Sequence, residues 1–263
     1  MRGMRIAAKF AAVAALAICG ANLAPAQATR ASASNASISQ SASASLPTAD
    51  RVLDKYVQAI GGRAAWEKLH SRTSLGTIEI PTMNLSGTVM VHEKAPNSML
   101  LVVILSGNSF RQGFDGAVAW SDDPQNGVQV KSGQELTETA RDADFYHPID
   151  MKKIYANLAV TGSDTIAGEA VWVMEATTAD GTTDKIYFEK GSGLIRRVEG
   201  QHHSPQGTTK FVEDIEDYQE IDGVKLPYTV KQSSGDSTFT IHFGQVQHNV
   251  ALDNAEFSKP AAQ

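Results

Sequence analysis

The chain has 263 residues, a formal net charge of −6 and one cysteine. Removing residues 1–28, which hold three basic and no acidic residues, makes the charge −9. So acidic a chain binds phosphate backbones poorly, because such binding requires lysine and arginine, and we expect no nucleic-acid partner. Since Cys19 lies in that segment, the rest of the chain has no thiol for disulfides, thiolate metal sites or cysteine nucleophiles.

Residues 1–28 have the pattern of a secretory signal peptide. Basic residues precede an apolar run at 10–18, and small residues flank Gln27, so we expect cleavage after Ala28. That run is too short to span a bilayer, and no later segment approaches the roughly 20 apolar residues of a transmembrane helix. Lipidation of Cys19 would anchor the protein, but the bulky Ile18 before it disfavours that modification. We expect an exported, periplasmic protein with only transient membrane contact.

Residues 29–47 form a Ser/Ala-rich tract that has almost no large apolar side chains. Such a tract cannot bury enough surface to offset its chain entropy, so we predict a disordered tether. The remaining segment, 48–263, has a suitable length for one domain, and we expect it to act as a monomer.

The domain opens with helix signals. Apolar residues at 52, 53, 56, 57 and 60 recur at helical spacing, and Gly61-Gly62 interrupts the pattern before residues 63–70 resume it. The two pieces form a bent element with one apolar stripe. A stripe of this kind is expected to pack on a sheet.

Thirteen short runs with β-character follow. They lie at roughly 73–80, 85–93, 98–106, 109–114, 117–121, 127–131, 157–162, 169–177, 183–189, 194–200, 208–219, 226–232 and 237–247. A polar, helix-compatible stretch at 134–155, broken by Pro148, separates the sixth run from the seventh. The run 99–106 is apolar at consecutive positions, so both its faces must be covered, one of them by the N-terminal helix.

Several later runs alternate between apolar and polar residues. Phe239, Ile241 and Phe243 share one face of such a run. A file of hairpins with one apolar face curls on itself. We therefore predict an α+β, mainly β fold: a strongly curved antiparallel sheet, or unclosed half-barrel, with the N-terminal helix and a short central helical segment as its lid.

Charged residues cluster at the hairpin corners rather than at a chemical site. In YFEKGSGLIRRVEG, residues 187–200, the glycines of Lys190-Gly191-Ser192-Gly193 are typical of a turn between two apolar runs. Charge at such corners keeps hairpin tips and edges soluble.

The chain carries none of the stronger catalytic signatures. It has no G-x-S-x-G elbow and no phosphate-binding loop, and the histidine that a zincin helix needs is missing after His92-Glu93. His202 and His203 are adjacent, so on an extended chain they point to opposite faces, and we expect both to be exposed. We predict no enzyme activity, no metal and no cofactor, although a hydrolase with a dispersed carboxylate or Ser/His site stays open.

Carboxylates are concentrated in EDIEDYQEID, residues 213–222. Their spacing does not match a calcium-binding loop. We predict that they form a solvated strand rim, with a catalytic carboxylate pair as the minor alternative.

A curved sheet of this length has an apolar concave face too large for one bent helix to fill without gaps, and such a hollow suits a lipid. Apolar alternation selects nine residues that are predicted to line it: Met99, Leu101, Val103, Trp120, Trp172, Met174, Phe239, Ile241 and Phe243. The residues chosen on each strand depend on its register, because a shift of one residue moves the chosen side chains to the other face of the sheet.

Five segments together resemble the outer-membrane lipoprotein-sorting proteins, the LolA/LolB-like superfamily of exported bacterial domains. They are VLDKYVQAIGGRAAWEKL, GFDGAVAW, YFEKGSGLIRRVEG, DYQEIDGVKLPYTV and NVALDNAEFSKP, which extend over about residues 50–260. Each is a weak motif alone, and their order and spacing carry the resemblance.

The resemblance implies an unclosed barrel with a helical lid around an apolar cavity for acyl chains of lipoproteins or other lipids. It also implies an arginine that latches the lid, a role that the sequence assigns to none of Arg51, Arg63, Arg72 and Arg111. Our leading hypothesis is a non-catalytic periplasmic carrier, which would shield an acyl chain at roughly 0.8 kcal/mol per methylene. The alternative is a cell-envelope protein-interaction or sensor domain that uses the same concave sheet.

Overall fold

The computed structural model describes residues 46–179, 181–204 and 207–261. The predicted signal peptide and most of the predicted tether, residues 1–45, lie outside this part of the chain. Within it, thirteen strands form one antiparallel sheet with four α-helices beside it. The predicted fold class is therefore confirmed. No helix in the described ranges is long and apolar enough to cross a membrane.

The N-terminal helical element is bent, as predicted. Helix α1 spans Ala49–Ala59 and helix α2 spans Arg63–Trp66. The side-chain oxygen of Thr48 caps α1 by accepting a hydrogen bond from the backbone N–H of Arg51 at 3.3 Å. A tight corner at Gly61 and Gly62 separates the two helices.

The central helical segment, defined here as residues 133–154, consists of three short pieces. Helix α3 spans Gly133–Asp142, a 3-10 helix spans His147–Ile149, and helix α4 spans Met151–Ile154. Pro148 lies in the first turn of the 3-10 helix, where its missing N–H is tolerated. The stretch is broken, as predicted, but the α-helix ends at Asp142, before the proline.

Each predicted β run corresponds to one strand, with ends that differ by up to four residues. The strands are β1 Ser71–Ile80, β2 Leu85–Lys94, β3 Ser98–Leu105, β4 Asn108–Phe114, β5 Ala119–Asp123, β6 Gly127–Val130, β7 Asn157–Ile166, β8 Glu169–Thr177, β9 Thr183–Glu189, β10 Ile195–Ser204, β11 Gly207–Ile221, β12 Val224–Ser234 and β13 Ser237–His248. Two further 3-10 helices span Pro81–Met83 and Asn254–Phe257.

The sheet is an open ribbon with two free edges. Its strand order is β6-β5-β4-β3-β2-β1-β13-β12-β11-β10-β9-β8-β7. Every pairing joins two strands that are consecutive in the chain, except the pairing of β1 with β13. Strands β6 and β7 are the edges and do not pair with each other, which leaves the barrel unclosed. The central helical segment connects these two edges.

One face of the sheet, called the inner face here, carries the main apolar cluster. Side chains of cross-strand partners share a face. Ile241 on β13 pairs with Ile78 on β1, Leu101 on β3 pairs with Val91 on β2, and all four are at most 3% exposed. The N-terminal helices contribute Val52, Leu53, Tyr56, Ile60 and Trp66 to the same cluster.

Strand β3 is covered on both faces, as its continuous apolar run predicts. Leu101 and Val103 belong to the inner cluster, whereas Leu100 packs on the outer face with Trp120 and Phe257. The outer cover is therefore the C-terminal 3-10 helix, which the sequence pattern did not predict.

The corner between α1 and α2 rests against the β11–β12 turn. The backbone N–H of Lys225 donates a hydrogen bond to the carbonyl oxygen of Ile60 at 3.0 Å. Gly61 has φ +110°, and a Cβ there would lie 2.1 Å from the carbonyl oxygen of Gly223. Only glycine allows this close approach of the two backbones.

Candidate functional site

Eight of the nine residues predicted to line a cavity lie on the inner face. Seven of them are no more than 8% exposed, and the eighth, Trp172, is partly buried. The eight are Met99, Leu101, Val103, Trp172, Met174, Phe239, Ile241 and Phe243. The assumed parity is therefore right for β3, β8 and β13, while contact of these residues with a ligand stays a prediction.

Trp120 is the exception, because it lies on the outer face. It pairs with Gly113, which pairs in turn with Leu100, and all three therefore point away from Leu101. The indole N–H of Trp120 donates a hydrogen bond to the carbonyl oxygen of Phe257 at 2.8 Å. The prediction for this residue is wrong because both faces of β5 are covered, so apolar character does not reveal which way a side chain points.

The inner face is covered by the N-terminal helices and by the central helical segment. The ring of Tyr56 on α1 meets that of Phe188 on β9 edge-on, with centroids 5.6 Å apart. Phe145, Ile149 and Met151 from the region of the central helical segment belong to the same cluster. The N-terminal helices and the central helical segment, the two parts of the predicted lid, together bury most of the predicted lining.

The charged hairpin between β9 and β10 holds α1 in place. The ammonium group of Lys55 donates hydrogen bonds to the carbonyl oxygens of Lys190 at 2.5 Å and Gly191 at 2.8 Å. The ammonium group of Lys190 lies 3.7 Å from the centre of the Trp172 ring, a cation–π contact. The turn prediction for this stretch is confirmed by Gly193, whose φ is +84°.

A cleft of about 500 Å³ separates α1 from the central helical segment. Its apolar lining consists of Leu53, Tyr56, Val57, Pro148, Ile149 and Met151, and its polar lining of Asp54, Gln58, Arg63, Asp150, Lys152 and Lys153. This volume is in the range of small-molecule sites, roughly 300–1,000 Å³, but half of the lining residues are polar, a larger share than the few polar groups of a typical ligand site.

Two ion pairs connect the N-terminal helices to the central helical segment beside this cleft. The guanidinium of Arg63 lies 2.8 Å from the carboxylate of Asp150 and donates to the carbonyl oxygen of Ile149 at 2.7 Å. The ammonium of Lys152 lies 2.6 Å from the carboxylate of Asp50. Burial alone would raise the pKa of Asp150, but hydrogen bonds from Lys153 and Arg63 outweigh it and lower the pKa.

Of the four arginines considered from the sequence, Arg63 is the one that forms an ion pair with the central helical segment. The other three arginines considered from the sequence do different things: Arg72 pairs with Glu93, Arg111 pairs with Asp122, and exposed Arg51 lies in the first turn of α1. Arg63 could not be selected from the sequence because its partners are more than 80 residues away in the chain.

A buried ion pair lies on the inner face near α2. Arg72 on β1 and Glu93 on β2 are cross-strand partners, 2% and 1% exposed, and Nε of Arg72 donates to Oε2 of Glu93 at 2.6 Å. The guanidinium carbon lies about 6 Å from the rings of Trp66 and Phe145. Breaking such a pair typically costs 3–5 kcal/mol. The two ring contacts of Arg72 connect the pair to α2 and to the central helical segment.

Glu213 is a fully buried carboxyl group on the inner face of β11. Its cross-strand partners are Val198 on β10 and Gln232 on β12. Neither of its carboxyl oxygens has a hydrogen-bond partner among the described residues. Burial, with a smaller contribution from the neighbouring Asp214, raises the pKa of Glu213 to about 8. The group is therefore mostly a neutral acid at pH 7.

The predicted solvated rim is correct for most of residues 213–222 and wrong for Glu213. Glu216, Asp217 and Glu220 are exposed, as expected. Glu213 faces inward because it shares parity with Phe211 and Ile215, which are both buried in the main cluster. This alternation was the signal that could have identified it.

Two histidine–carboxylate pairs occur among the residues that the structure describes, and neither lies in the cleft. Nδ1 of His92 is 2.8 Å from Glu256, and Nδ1 of His248 is 2.9 Å from Asp222. Burial is the main reason that the pKa of His248 is lowered, although its hydrogen bond to Asp222 opposes this shift. The first pair fastens the C-terminal 3-10 helix to β2, and the second fastens the β11–β12 turn to β13.

The residues within the described ranges include no group of three or more His, Cys, Asp or Glu side chains that could hold a metal ion. The adjacent His202 and His203 lie within strand β10 rather than in a turn. They oppose Thr209 and Thr208 on β11.

No known protein family and no curated protein matches the sequence. Solved structures do match the fold. A LolA superfamily protein from Nitrosomonas europaea has a TM-score of 0.55 and 14% identity, covering 81% of this chain and 99% of its own. A DUF1329 family protein from Desulfovibrio piger has a TM-score of 0.54 and 13% identity, covering 80% and 97%.

A third similar structure is an outer-membrane lipoprotein-sorting protein domain from Vibrio parahaemolyticus. Its TM-score is 0.50 at 13% identity, and it covers 80% of this chain and 97% of its own. At such low identity the likeness concerns the fold. The open sheet, its helical cover and these three matches together show that the chain has the fold of the LolA superfamily and the outer-membrane lipoprotein-sorting domains.

Proposed function

We propose that the protein is a periplasmic carrier or binding protein for acyl chains of lipoproteins or other lipids, and that it acts without a chemical step. The observation that carries the proposal is an apolar sheet face covered by two helical elements that meet at a cleft. The fold shared with lipoprotein-sorting domains supports it. The eight inner-face residues named above would contact the acyl chain.

Binding would require the helical cover to separate along the cleft. The side chains of Lys152 and Asp50 are more than half exposed, and such surface pairs contribute about 0–1 kcal/mol. The covering helices shield apolar surface that an acyl chain can shield equally well, at about 0.8 kcal/mol per methylene. Because the acyl chain replaces one apolar cover by another, the free energies of the closed and the loaded protein differ little.

The first experiment asks whether the protein holds lipid. We expect organic extracts of the mature protein, purified from its host, to contain acyl lipids by mass spectrometry. We also expect the protein to bind a fluorescent fatty acid that unlabelled acyl lipids displace. If lipid is absent from the extracts and the fluorescent fatty acid does not bind, the carrier function is rejected. A single stable protein captured by cross-linking in cells, without lipid, would favour the envelope interaction or sensor domain.

The second experiment asks whether the cleft is the entrance. Because the mature chain has no cysteine, Asp50→Cys and Lys152→Cys together allow α1 and α4 to be joined by a bifunctional maleimide. The cross-linked protein should bind the fluorescent fatty acid at least tenfold more slowly than the same variant before cross-linking. Each single-cysteine variant treated with the reagent is the matched control. Equal rates before and after cross-linking would show that acyl chains enter elsewhere.

A further inference from the structure

Glu213 stands in a row of buried side chains that crosses the inner face. From β13 to β8 the row consists of Phe239, Gln232, Glu213, Val198, Ile186 and Met174. All six are at most 8% exposed. A carboxyl group therefore lies in the middle of the surface that is proposed to receive an acyl chain.

Other buried acids on this face have partners. Glu93 is paired with Arg72, and Asp184 accepts a hydrogen bond from the hydroxyl of Tyr155 at 3.1 Å. Glu213 differs, since none of the residues that the structure describes bonds to its carboxyl oxygens. A buried polar group without a partner costs free energy, which a ligand that supplies the partner would recover.

Two tyrosines, Tyr56 and Tyr218, lie near each other in the main apolar cluster. Tyr56 lines the cleft. Burial is the main reason that the pKa of Tyr218 is raised, and nearby Tyr56 and Glu213 both add to the shift. The hydroxyl of Tyr218 already donates to the carbonyl oxygen of Ile195 at 3.0 Å. Glu213 is thus a buried acid near Tyr218, and the residues that the structure describes leave its hydrogen-bonding capacity unused.

We propose that Glu213 donates a hydrogen bond to the ester or amide carbonyl that joins an acyl chain to the rest of the cargo. This inference rests on the proposed carrier function and names the polar group that the inner face selects. Burial without a nearby cation favours the neutral acid, which has one O–H donor, over the carboxylate, which has none. A carbonyl oxygen is the acceptor that every acyl chain carries at its attached end.

The test uses two probes that differ in one carbonyl group: monolauroylglycerol, which has an ester, and dodecylglycerol, which has an ether. Their affinities are measured by displacement of a fluorescent fatty acid from the wild-type protein, Glu213→Gln and Glu213→Met. We expect the wild type to bind the ester roughly tenfold more tightly, the effect of one hydrogen bond in a dry site. Glu213→Gln retains a donor and should keep most of this preference. Glu213→Met has a similar length without a donor and should lose the preference while still binding the ether.

The outcomes distinguish the role of Glu213 from the carrier function. Equal affinity of the wild type for both probes would overturn the role of Glu213 and leave the carrier function intact. An equal loss of affinity for both probes in Glu213→Met would also overturn it, because the residue would then act through packing alone. Failure of the wild type to bind either probe would reject the carrier function itself. Circular dichroism and urea unfolding establish that each variant is folded before binding is measured.

Discussion

Replacing Glu213 with glutamine measures what the buried acid costs the folded protein. In the unfolded chain this carboxyl titrates at its ordinary pKa of 4.5, whereas burial raises the pKa to about 8 in the folded protein. The difference corresponds to about 5 kcal/mol, because one pKa unit is worth about 1.4 kcal/mol. The destabilisation is absent below pH 4.5, grows as the pH rises, and is complete above pH 8, where both states are ionised. At pH 7 it amounts to about 3 kcal/mol.

The assay is urea unfolding of the protein without residues 1–28 at pH 5, 7 and 9. We expect Glu213→Gln to exceed the wild type in unfolding free energy by less than about 1 kcal/mol at pH 5, about 3 at pH 7 and about 5 at pH 9. Glu216→Gln is the matched control, since Glu216 lies on the same strand but is exposed. That substitution should produce no gain that depends on pH.

Two results would refute the reasoning. In the first, Glu213→Gln and the wild type differ in unfolding free energy by the same amount at all three pH values. The carboxyl would then not change its protonation state over this range. A variant that is less stable than the wild type at pH 9 would mean that ionised Glu213 has a compensating partner.

Three further substitutions test the cover and the two faces of the sheet. Arg63→Met should lower the unfolding free energy by only about 1 kcal/mol, because the arginine is 49% exposed, yet amide hydrogen exchange at 147–154 should accelerate about fivefold; unchanged exchange would show that Arg63 does not hold this segment in place. Trp120→Phe should cost about 1–2 kcal/mol through lost volume and a lost hydrogen bond, while acyl-probe affinity stays unchanged, and a weaker affinity would contradict its place on the outer face. Gly61→Ala should cost more than about 2 kcal/mol by urea unfolding, because its Cβ would clash with a backbone oxygen. Gly191→Ala is its control, as no atom lies within 4 Å of that Cβ, and equal losses would rule out the clash.

The strands could be predicted because most of them have one covered face. In β13 the period-two pattern of Phe239, Ile241 and Phe243 gives the correct face. The pattern fails in β5, where adjacent Ala119 and Trp120 are 0% and 1% exposed because α3 covers one face and the C-terminal 3-10 helix the other. The space for the indole comes from Gly113 on the next strand, which no inspection of β5 alone reveals.

The site was less predictable than the sheet. Glu213 lies among many solvated carboxylates, and composition outweighed the alternation that placed it between two inward apolar residues. The contact between Arg63 and Asp150 depends on how α2 and the central helical segment meet, which is a property of the folded molecule. Local sequence patterns indicate which face of a strand is buried. They do not indicate which distant segment packs against that face.

The order of the strands bears on how the cover could move. The two unpaired edges, β6 and β7, follow each other in sequence, and the segment that joins them is the one that lies beside the cleft. That segment therefore joins the two edge strands of the open sheet without adding a strand to it. Outward movement of this segment would break the backbone hydrogen bond from Phe145 to the carbonyl oxygen of Pro96 and the Arg63–Asp150 pair, but none of the twelve strand pairings.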